Sequence, residues 1–177
     1  MKYRTHTCGQ LSEKEIGTTV KLSGWINSKR DHGNLMFIDL RDHYGITQCV
    51  IQNTNAMFET LGKIHIESVL TITGKVIARD TETINANIPT GKIEIAADEI
   101  EIVSEADVLP ILVASDEKFP EDLRMKYRYI DLRRDKLQHN IKTRSAVIKA
   151  YRDAMWEHGF NELQTPILTV SSPEGAR

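Results

Sequence analysis

Cysteine is scarce in this 177-residue sequence: Cys8 and Cys49 are the only two, and they form no CxxC pair. Two isolated cysteines exclude a disulfide framework and a cysteine-based zinc site, and reduced thiols are the simplest interpretation. The six histidines are scattered and lack the HExxH spacing of a metal site. We therefore expect this chain to bind no metal.

Long apolar runs are missing as well. No run approaches the ~20 residues that span a bilayer, and the first ten residues, MKYRTHTCGQ, lack the apolar core of a signal peptide. The composition, 40% hydrophobic and 27% charged, is typical of a soluble globular protein. We expect a cytoplasmic protein without membrane contact.

An overall basic charge is also missing, since the net charge is −2. The charges are nevertheless segregated, with ten acidic and one basic side chain in 94–122 and ten basic and two acidic in 124–152. Two interpretations stay open. The halves are solvated faces that partly neutralise each other, or a domain boundary precedes a basic element that can meet phosphate. The proline-containing stretch 108–120 is a good place for a linker.

Five β-rich runs dominate the first hundred residues. Ser12 and Glu15 form a capping box for a short helix that Gly17 would end. A further short helix is predicted at about 55–62, between the third and fourth strands. This order is typical of an OB-fold, a small Greek-key barrel that binds oligonucleotides. The predicted strands are near 19–29, 34–41, 45–52, 67–78 and 92–103.

The second strand carries an aromatic residue on its polar side. Alternation in 35–41 places Phe37 opposite the apolar side chains, where it could stack on an unpaired base. Lys29 and Arg30 could bind the adjoining phosphates, and Gln48 has a donor and an acceptor for a base edge. The alternative is an edge aromatic packed under a loop.

The loop 79–92 is long for a strand connection and rich in amides and hydroxyls. It lies where OB-folds carry a ligand-binding loop. Its composition alone favours an ordinary solvated loop.

A long amphipathic helix is predicted over 137–158, with Gly159 at its carboxyl end and a strand at 160–165. Pro166 disfavours continuation of that strand at the centre of a sheet. The apolar stripe of the helix needs a partner, either a core or a second subunit, and a core is the usual answer.

Several motifs together resemble bacterial-type aspartyl-tRNA synthetases, which are class II aminoacyl-tRNA synthetases. They cover the whole chain, and the closing PEGAR argues against the sister asparaginyl and lysyl enzymes. The motifs are CGQL at 8–11, GWINSKRDHGNLMFIDLRD at 24–42, RYIDLRR at 128–134, and TPILT followed by PEGAR at 173–177.

The resemblance implies an α+β protein: a five-stranded OB-fold barrel with an inserted helix, then a hinge and the start of a class II catalytic domain. The expected boundaries are 1–104 for the anticodon-binding domain, 105–124 for the hinge and 125–177 for the catalytic part. Motif 1 would be the helix 141–159 plus the strand ending at Pro166, which forms the homodimer interface in the family.

The implied activity is aspartate–tRNA ligation, in which ATP and Mg²⁺ activate L-aspartate for transfer to tRNA. The expected anticodon contacts are Arg30, Phe37 and Gln48, with Arg79 and Glu94 reading the first anticodon base. Glu174 would pair with the amino group of aspartate, which positions the substrate without proton chemistry. No catalytic residue is expected in this chain.

Two residues bear on the choice of tRNA. Thr83 stands where the family has an Asn in the loop, which puts that base contact in doubt. His32 is the variant associated with enzymes that charge both tRNA(Asp) and tRNA(Asn).

Family motifs 2 and 3 are absent from the sequence. We therefore expect an amino-terminal fragment of the enzyme that recognises the anticodon, binds no ATP or Mg²⁺, and is inactive alone. The alternative is a stand-alone OB-fold module that binds tRNA or single-stranded nucleic acid without ligase activity.

Overall fold

Alternating apolar side chains on five strands form the interior of a closed barrel. The computed structural model describes residues 3–168. The strand order around the barrel is β1-β2-β3-β5-β4, with β3 and β5 parallel and the other pairs antiparallel. The predicted OB-fold and its five strands are thus confirmed. The strands are β1 (Thr19–Asp31), β2 (Leu35–Arg41), β3 (Ile46–Gln52), β4 (Val69–Ala78) and β5 (Ile93–Ser104).

Strand β1 is long because it closes the barrel on both sides. Its first part pairs with β4 from Thr19 to Trp25, and its second part pairs with β2 from Trp25 to Asp31. A register shift between Ile26 and Ser28 marks a bulge. Such an irregularity bends a strand and increases its twist, which lets one strand serve two neighbours.

The barrel interior contains the side chains that alternation predicts. Met36, Ile38 and Leu40 of β2 are fully buried, and the intervening residues of that strand are partly exposed. Helix α1 (Phe58–Lys63) lies between β3 and β4 in the sequence and adds Leu61 to the same core. The predicted inserted helix is confirmed, with its start a few residues later than expected.

The amino-terminal capping box is also confirmed. The Glu15 carboxylate accepts from the Ser12 backbone N–H at 2.7 Å, and Lys14 N donates to Ser12 Oγ at 3.3 Å. The helix is a single 3₁₀ turn, Glu13–Glu15. Gly17 follows with φ of +89°, a left-handed conformation that glycine adopts without a steric penalty.

The segment after β5 has a small core of its own. Helices α2 (Glu121–Lys126) and α3 (Arg128–Asp131) contribute to it. The chain divides into two compact units, 1–131 and 132–177, so the predicted hinge 105–124 lies within the first. The expected boundaries 1–104, 105–124 and 125–177 stay a prediction. This second core contains Ile111, Val113 and Ile130, with Leu109, Phe119, Leu123 and Tyr127 packed against it.

The described part of the second unit is mainly helix α4 (Asp135–Glu157), which confirms the long helix. Gly159, with φ of +81°, ends it in a Schellman motif: its N–H donates to Trp156 O, and the Phe160 N–H donates to Met155 O. No side chain of α4 is buried.

The strand expected at 160–165 is a wrong prediction. These residues are exposed and form no ladder with any described strand. The physical reason is that a strand is defined by hydrogen bonds to a neighbour, and the second unit contains no other strand within 132–168.

Within 3–168, no helix combines the length and the apolar character needed to cross a bilayer.

Candidate nucleic-acid interface

The outward face of β2 presents Phe37 between two polar neighbours. Arg30 lies opposite Phe37 in the β1–β2 ladder, and its guanidinium carbon is 6.0 Å from the ring centroid. The His32 ring meets the Phe37 ring edge to face, with centroids 5.3 Å apart. Phe37 is partly exposed, which favours the predicted stacking surface over an aromatic buried beneath a loop.

A chain of hydrogen bonds leads from Arg30 across three strands. Arg30 Nη2 donates to Gln48 Oε1 at 3.0 Å, and Gln48 Nε2 donates to Glu94 Oε2 at 2.9 Å. These two contacts set the orientation of the Gln48 amide, with its oxygen toward the cation and its nitrogen toward the carboxylate. Strands β1, β3 and β5 thus each contribute one member of this polar network.

Asp39 is a further member that sequence reasoning did not assign to the site. Its carboxylate accepts from Ser28 Oγ at 2.5 Å and from Arg30 Nη2 at 3.4 Å, and Asp39 lies opposite Gln48 in the β2–β3 ladder. Alternation did place Asp39 on the same face as Phe37. Its contact with Arg30 depends on the bulge in β1, which no local sequence signal predicts.

Arg79 lies at the far end of the network, directly after β4. Its Nε donates to the Ile93 carbonyl at 3.0 Å and lies 3.8 Å from Glu94 Oε2. The side chain is 3% exposed, and its Nη2 has no hydrogen-bond partner among the described residues. A buried donor without an acceptor lowers the free energy of unfolding by about 1–3 kcal/mol. A ligand that supplies an acceptor to this nitrogen would recover that free energy.

The loop over Arg79 is structured by its own backbone. A 3₁₀ turn, Thr81–Thr83, is followed by a hydrogen bond from Asn85 N to Gly91 O at 3.0 Å. Thr83 is exposed, and its carbonyl accepts from Arg79 Nη1 at 3.3 Å. The loop and the network are therefore coupled through Arg79.

Burial raises the pKa of Glu94 above its ordinary value of 4.5. The Gln48 hydrogen bond and the Arg79 charge oppose this rise, while the charge of Asp80 adds to it. The neighbours of Glu94 thus offset only part of the cost of burying its ionised carboxylate. The ionisation of Glu94 therefore depends on the charge of any group that binds beside it.

Lys29 has a role other than the phosphate contact suggested by its sequence position. Its ammonium donates at 2.8 Å to each of three carbonyl oxygens, those of Leu61, Gly62 and Ile64. These groups belong to the carboxyl end of α1, where carbonyls lack partners within the helix. Burial lowers the pKa of Lys29. All three ammonium protons are used inside the fold, so this interpretation was wrong.

The remaining predicted site residues are not part of the network. Pro166 is exposed beyond α4. Glu174 lies outside the described residues, as does the whole PEGAR motif. The interface therefore brings together Arg30, His32, Phe37, Gln48, Arg79 and Glu94, with Thr83 in the neighbouring loop.

Two protein families match the chain. The OB-fold nucleic acid binding domain matches residues 20–103, and the class II tRNA synthetases (D, K and N) match residues 120–177.

Curated relatives match over 99% of this chain. Aspartate–tRNA(Asp/Asn) ligases from Paramagnetospirillum magneticum and Gluconobacter oxydans are each 58% identical over 175 residues. The chain spans only 20% and 29% of the lengths of these two proteins.

A solved structure shares the fold. The asparaginyl-tRNA synthetase from Pyrococcus horikoshii, complexed with asparaginyl-adenylate, has a TM-score of 0.82 at 26% identity. The match covers 96% of this chain and 38% of that one.

Proposed function

We propose that this chain, a homologue of the amino-terminal part of the aspartate–tRNA(Asp/Asn) ligases, binds the anticodon arm of tRNA through the outward face of its barrel. The observation that carries the proposal is the position of Phe37, partly exposed and flanked by Arg30 and His32. An aromatic face next to donors and acceptors is what an unpaired base requires.

The side chains of the network have separate roles in this proposal. Phe37 stacks on one anticodon base, and Arg30 and Gln48 contact the same triplet. Arg79 and Glu94 contact the first anticodon base, where the unpaired Arg79 Nη2 is a donor and Glu94 an acceptor. Because Arg30, Gln48 and Glu94 already bond to one another, their positions are set before the RNA arrives, which lowers the entropy cost of binding.

We further propose that the whole enzyme activates L-aspartate with ATP and transfers it to tRNA(Asp), and that tRNA(Asn) is a second acceptor. The names of the relatives and the presence of His32 beside Phe37 support the second acceptor. In the whole enzyme Glu174 binds aspartate, and motif 1 with Pro166 forms a homodimer interface. We also propose a cytoplasmic location, which the proposed aspartyl transfer and the two free, buried cysteines support.

ATP and Mg²⁺ supply the activating chemistry in such ligases. Residues 3–168 include no group of three or more His, Cys, Asp or Glu side chains arranged to bind a metal ion. The roles proposed for the described residues are binding and positioning of RNA.

Replacing Phe37 by Ala tests the anticodon proposal. Loss of one stacked base should weaken binding of a labelled anticodon stem-loop by about 1–3 kcal/mol, measured by fluorescence anisotropy. Phe37→Trp is the matched control, since it keeps an aromatic face and should retain affinity. Equal affinity of the Phe37→Ala variant and the unmodified chain would refute the stacking role.

A scrambled loop separates anticodon reading from general single-strand binding. A domain that recognises the anticodon triplet should bind the scrambled loop more weakly, because polar side chains of the site are left without hydrogen-bond partners. A sequence-tolerant module, the alternative function, would bind both loops equally.

A further inference from the structure

A second exposed aromatic ring lies past the other end of β2, in the turn to β3. Tyr44 is 63% exposed. The Arg4 guanidinium carbon lies 5.4 Å from its ring centroid, and the His43 ring meets it edge to face at 5.2 Å with an interplanar angle of 84°. These distances are within the range of cation–π and aromatic contacts.

The arrangement repeats the surroundings of Phe37. There an Arg guanidinium lies 6.0 Å from the ring and a His ring meets it at 5.3 Å and 90°. The residues that supply these contacts come from different places, since Arg30 and His32 lie at the end of β1 and the start of the turn that follows, whereas Arg4 belongs to the amino-terminal segment. One combination of side chains therefore occurs twice on this barrel.

A third Arg–aromatic contact lies between the two but differs in exposure. The Arg41 guanidinium carbon is 5.9 Å from the Trp25 ring, yet its side chain is 12% exposed and bonds to Asn27 and Glu67. The Arg41 guanidinium is thus held by neighbouring side chains, although Arg41 lies on the outward side of β2. The Tyr44 ring, by contrast, is open to solvent.

We propose that Tyr44, with Arg4 and His43, is a second stacking platform for an unpaired RNA base. This rests on the proposed RNA binding. Phe37, Asp39 and Arg41 are the outward residues of β2 and lead along one face toward the Tyr44 turn. Phe37 and Arg41 are about 14 Å apart along the strand. In this proposal one single strand of RNA follows that face and contacts both rings.

The turn that carries Tyr44 is preorganised. The Asp42 carboxylate, 4% exposed, accepts from the backbone N–H groups of Cys8, Tyr44 and Gly45 at 2.9, 2.7 and 3.1 Å. Arg4 Nη1 donates to the same carboxylate at 2.9 Å. Tyr44 and Arg4 are thus attached to one buried group, so binding a base costs little ordering of either.

Arg4 retains capacity for a ligand. A guanidinium has five N–H donors, and among the described residues Arg4 makes one hydrogen bond, to Asp42. Its side chain is 38% exposed. A base stacked on Tyr44 would bring its phosphate or base edge within reach of the remaining donors, which suits RNA better than an apolar peptide.

The test compares Tyr44→Ala with Tyr44→Phe in the full chain. Binding is measured by fluorescence anisotropy with the anticodon stem-loop and with an unstructured RNA of about 16 nucleotides, the upper end of OB-fold site sizes. Tyr44→Ala should weaken binding of at least the longer RNA about fivefold or more, and Tyr44→Phe should retain affinity. Ultraviolet cross-linking of the unmodified chain should attach the RNA to the peptide containing Tyr44, a readout that does not depend on how a variant folds.

Unchanged affinity of Tyr44→Ala for both RNAs, without a Tyr44 cross-link, would overturn the second platform. If Phe37→Ala binds normally while Tyr44→Ala does not, the anticodon proposal fails and the second platform stands. If Phe37→Ala alone weakens binding, the second platform fails and the anticodon proposal stands. If the unmodified chain binds neither RNA, both are wrong.

Discussion

Lys29 and Arg30 are neighbours in β1 with different partners. Arg30 faces outward to Phe37, Asp39 and Gln48, whereas the Lys29 ammonium bonds to three carbonyl groups at the end of α1. Alternation along a strand separates the two side chains. In the proposed RNA complex, Arg30 is therefore the one of these two adjacent cations that contacts RNA.

Replacing Lys29 by Met should destabilise the barrel without removing a phosphate contact. Three charge-assisted hydrogen bonds are lost, although water can replace part of them at the exposed end of α1. We therefore expect the free energy of unfolding, measured in urea, to fall by about 1.5 kcal/mol or more. The salt dependence of stem-loop binding should keep its slope. A decrease of the slope by about 0.7 would instead identify Lys29 as a phosphate ligand. Lys63→Met, an exposed lysine of the same helix, is the control.

Glu94 should make stability depend on pH in a defined direction. Its pKa is higher in the folded protein than its ordinary value of 4.5, so the native state binds the proton more tightly. Stability should therefore fall as the pH rises from 4.5 through the folded pKa. Urea unfolding of Glu94→Gln between about pH 4 and pH 8 should lack this fall. Exposed Glu82→Gln in the nearby loop should retain it, and identical profiles for both variants would contradict the assignment.

At the scale of elements, the loop 79–92 is shaped by a close backbone approach. A Cβ on Gly91 would lie 1.7 Å from the Asn85 carbonyl oxygen and 3.0 Å from that of Ile88. Both neighbours are backbone atoms, which cannot rotate away as a flexible side chain can. Glycine is required here for space.

Gly91→Ala should displace this loop and destabilise the barrel by about 1–3 kcal/mol, as overpacking does. Stem-loop affinity should fall too, because Arg79 bonds to the loop carbonyl of Thr83. Gly62→Ala in α1 is the matched control: its nearest neighbour would be Met36 Cε at 3.9 Å. We expect Gly62→Ala to stabilise the chain by about 0.5–1 kcal/mol. Equal effects of the two substitutions in thermal unfolding would contradict the explanation.

At the scale of the molecule, the described residues contain two separate cores and the long helix α4, none of whose side chains is buried. The barrel core and the core at 109–130 both lie in the first unit, whereas α4 belongs to the second. Elements with little buried apolar area open most easily. We expect amide exchange to be slower in the barrel than in α4 of the monomer.

Asp131→Asn should open the second core selectively. Asp131 is fully buried and accepts from Arg124 at 3.2 Å and Arg128 at 2.8 Å. The substitution leaves partly exposed cations that can rehydrate, so we expect a loss of about 1–3 kcal/mol. Hydrogen exchange should report lost protection in 109–131 with the barrel unchanged. Asp135→Asn, exposed on α4, is the control, and simultaneous loss of protection in both cores would disprove their independence.

The strands of the barrel were predictable from local signals, and so was the end of α4. Alternating apolar and polar residues predicted β2 and its outward Phe37, and Gly159 marked the helix end, because these features depend on residues close together in the chain. Family resemblance added the expected roles of Arg79 and Glu94, which flank a loop that composition alone would assign to ordinary solvated structure.

Contacts between distant residues required the three-dimensional structure. The bonds of Lys29 to α1 span more than thirty residues, and the Arg4–Tyr44 contact spans forty, so neither has a local pattern. The expected strand at 160–165 had suitable side chains but no described neighbour to pair with. Local pattern decides which conformation a segment favours, whereas hydrogen bonds and packing between segments decide whether it is realised and which polar groups stay available to a ligand.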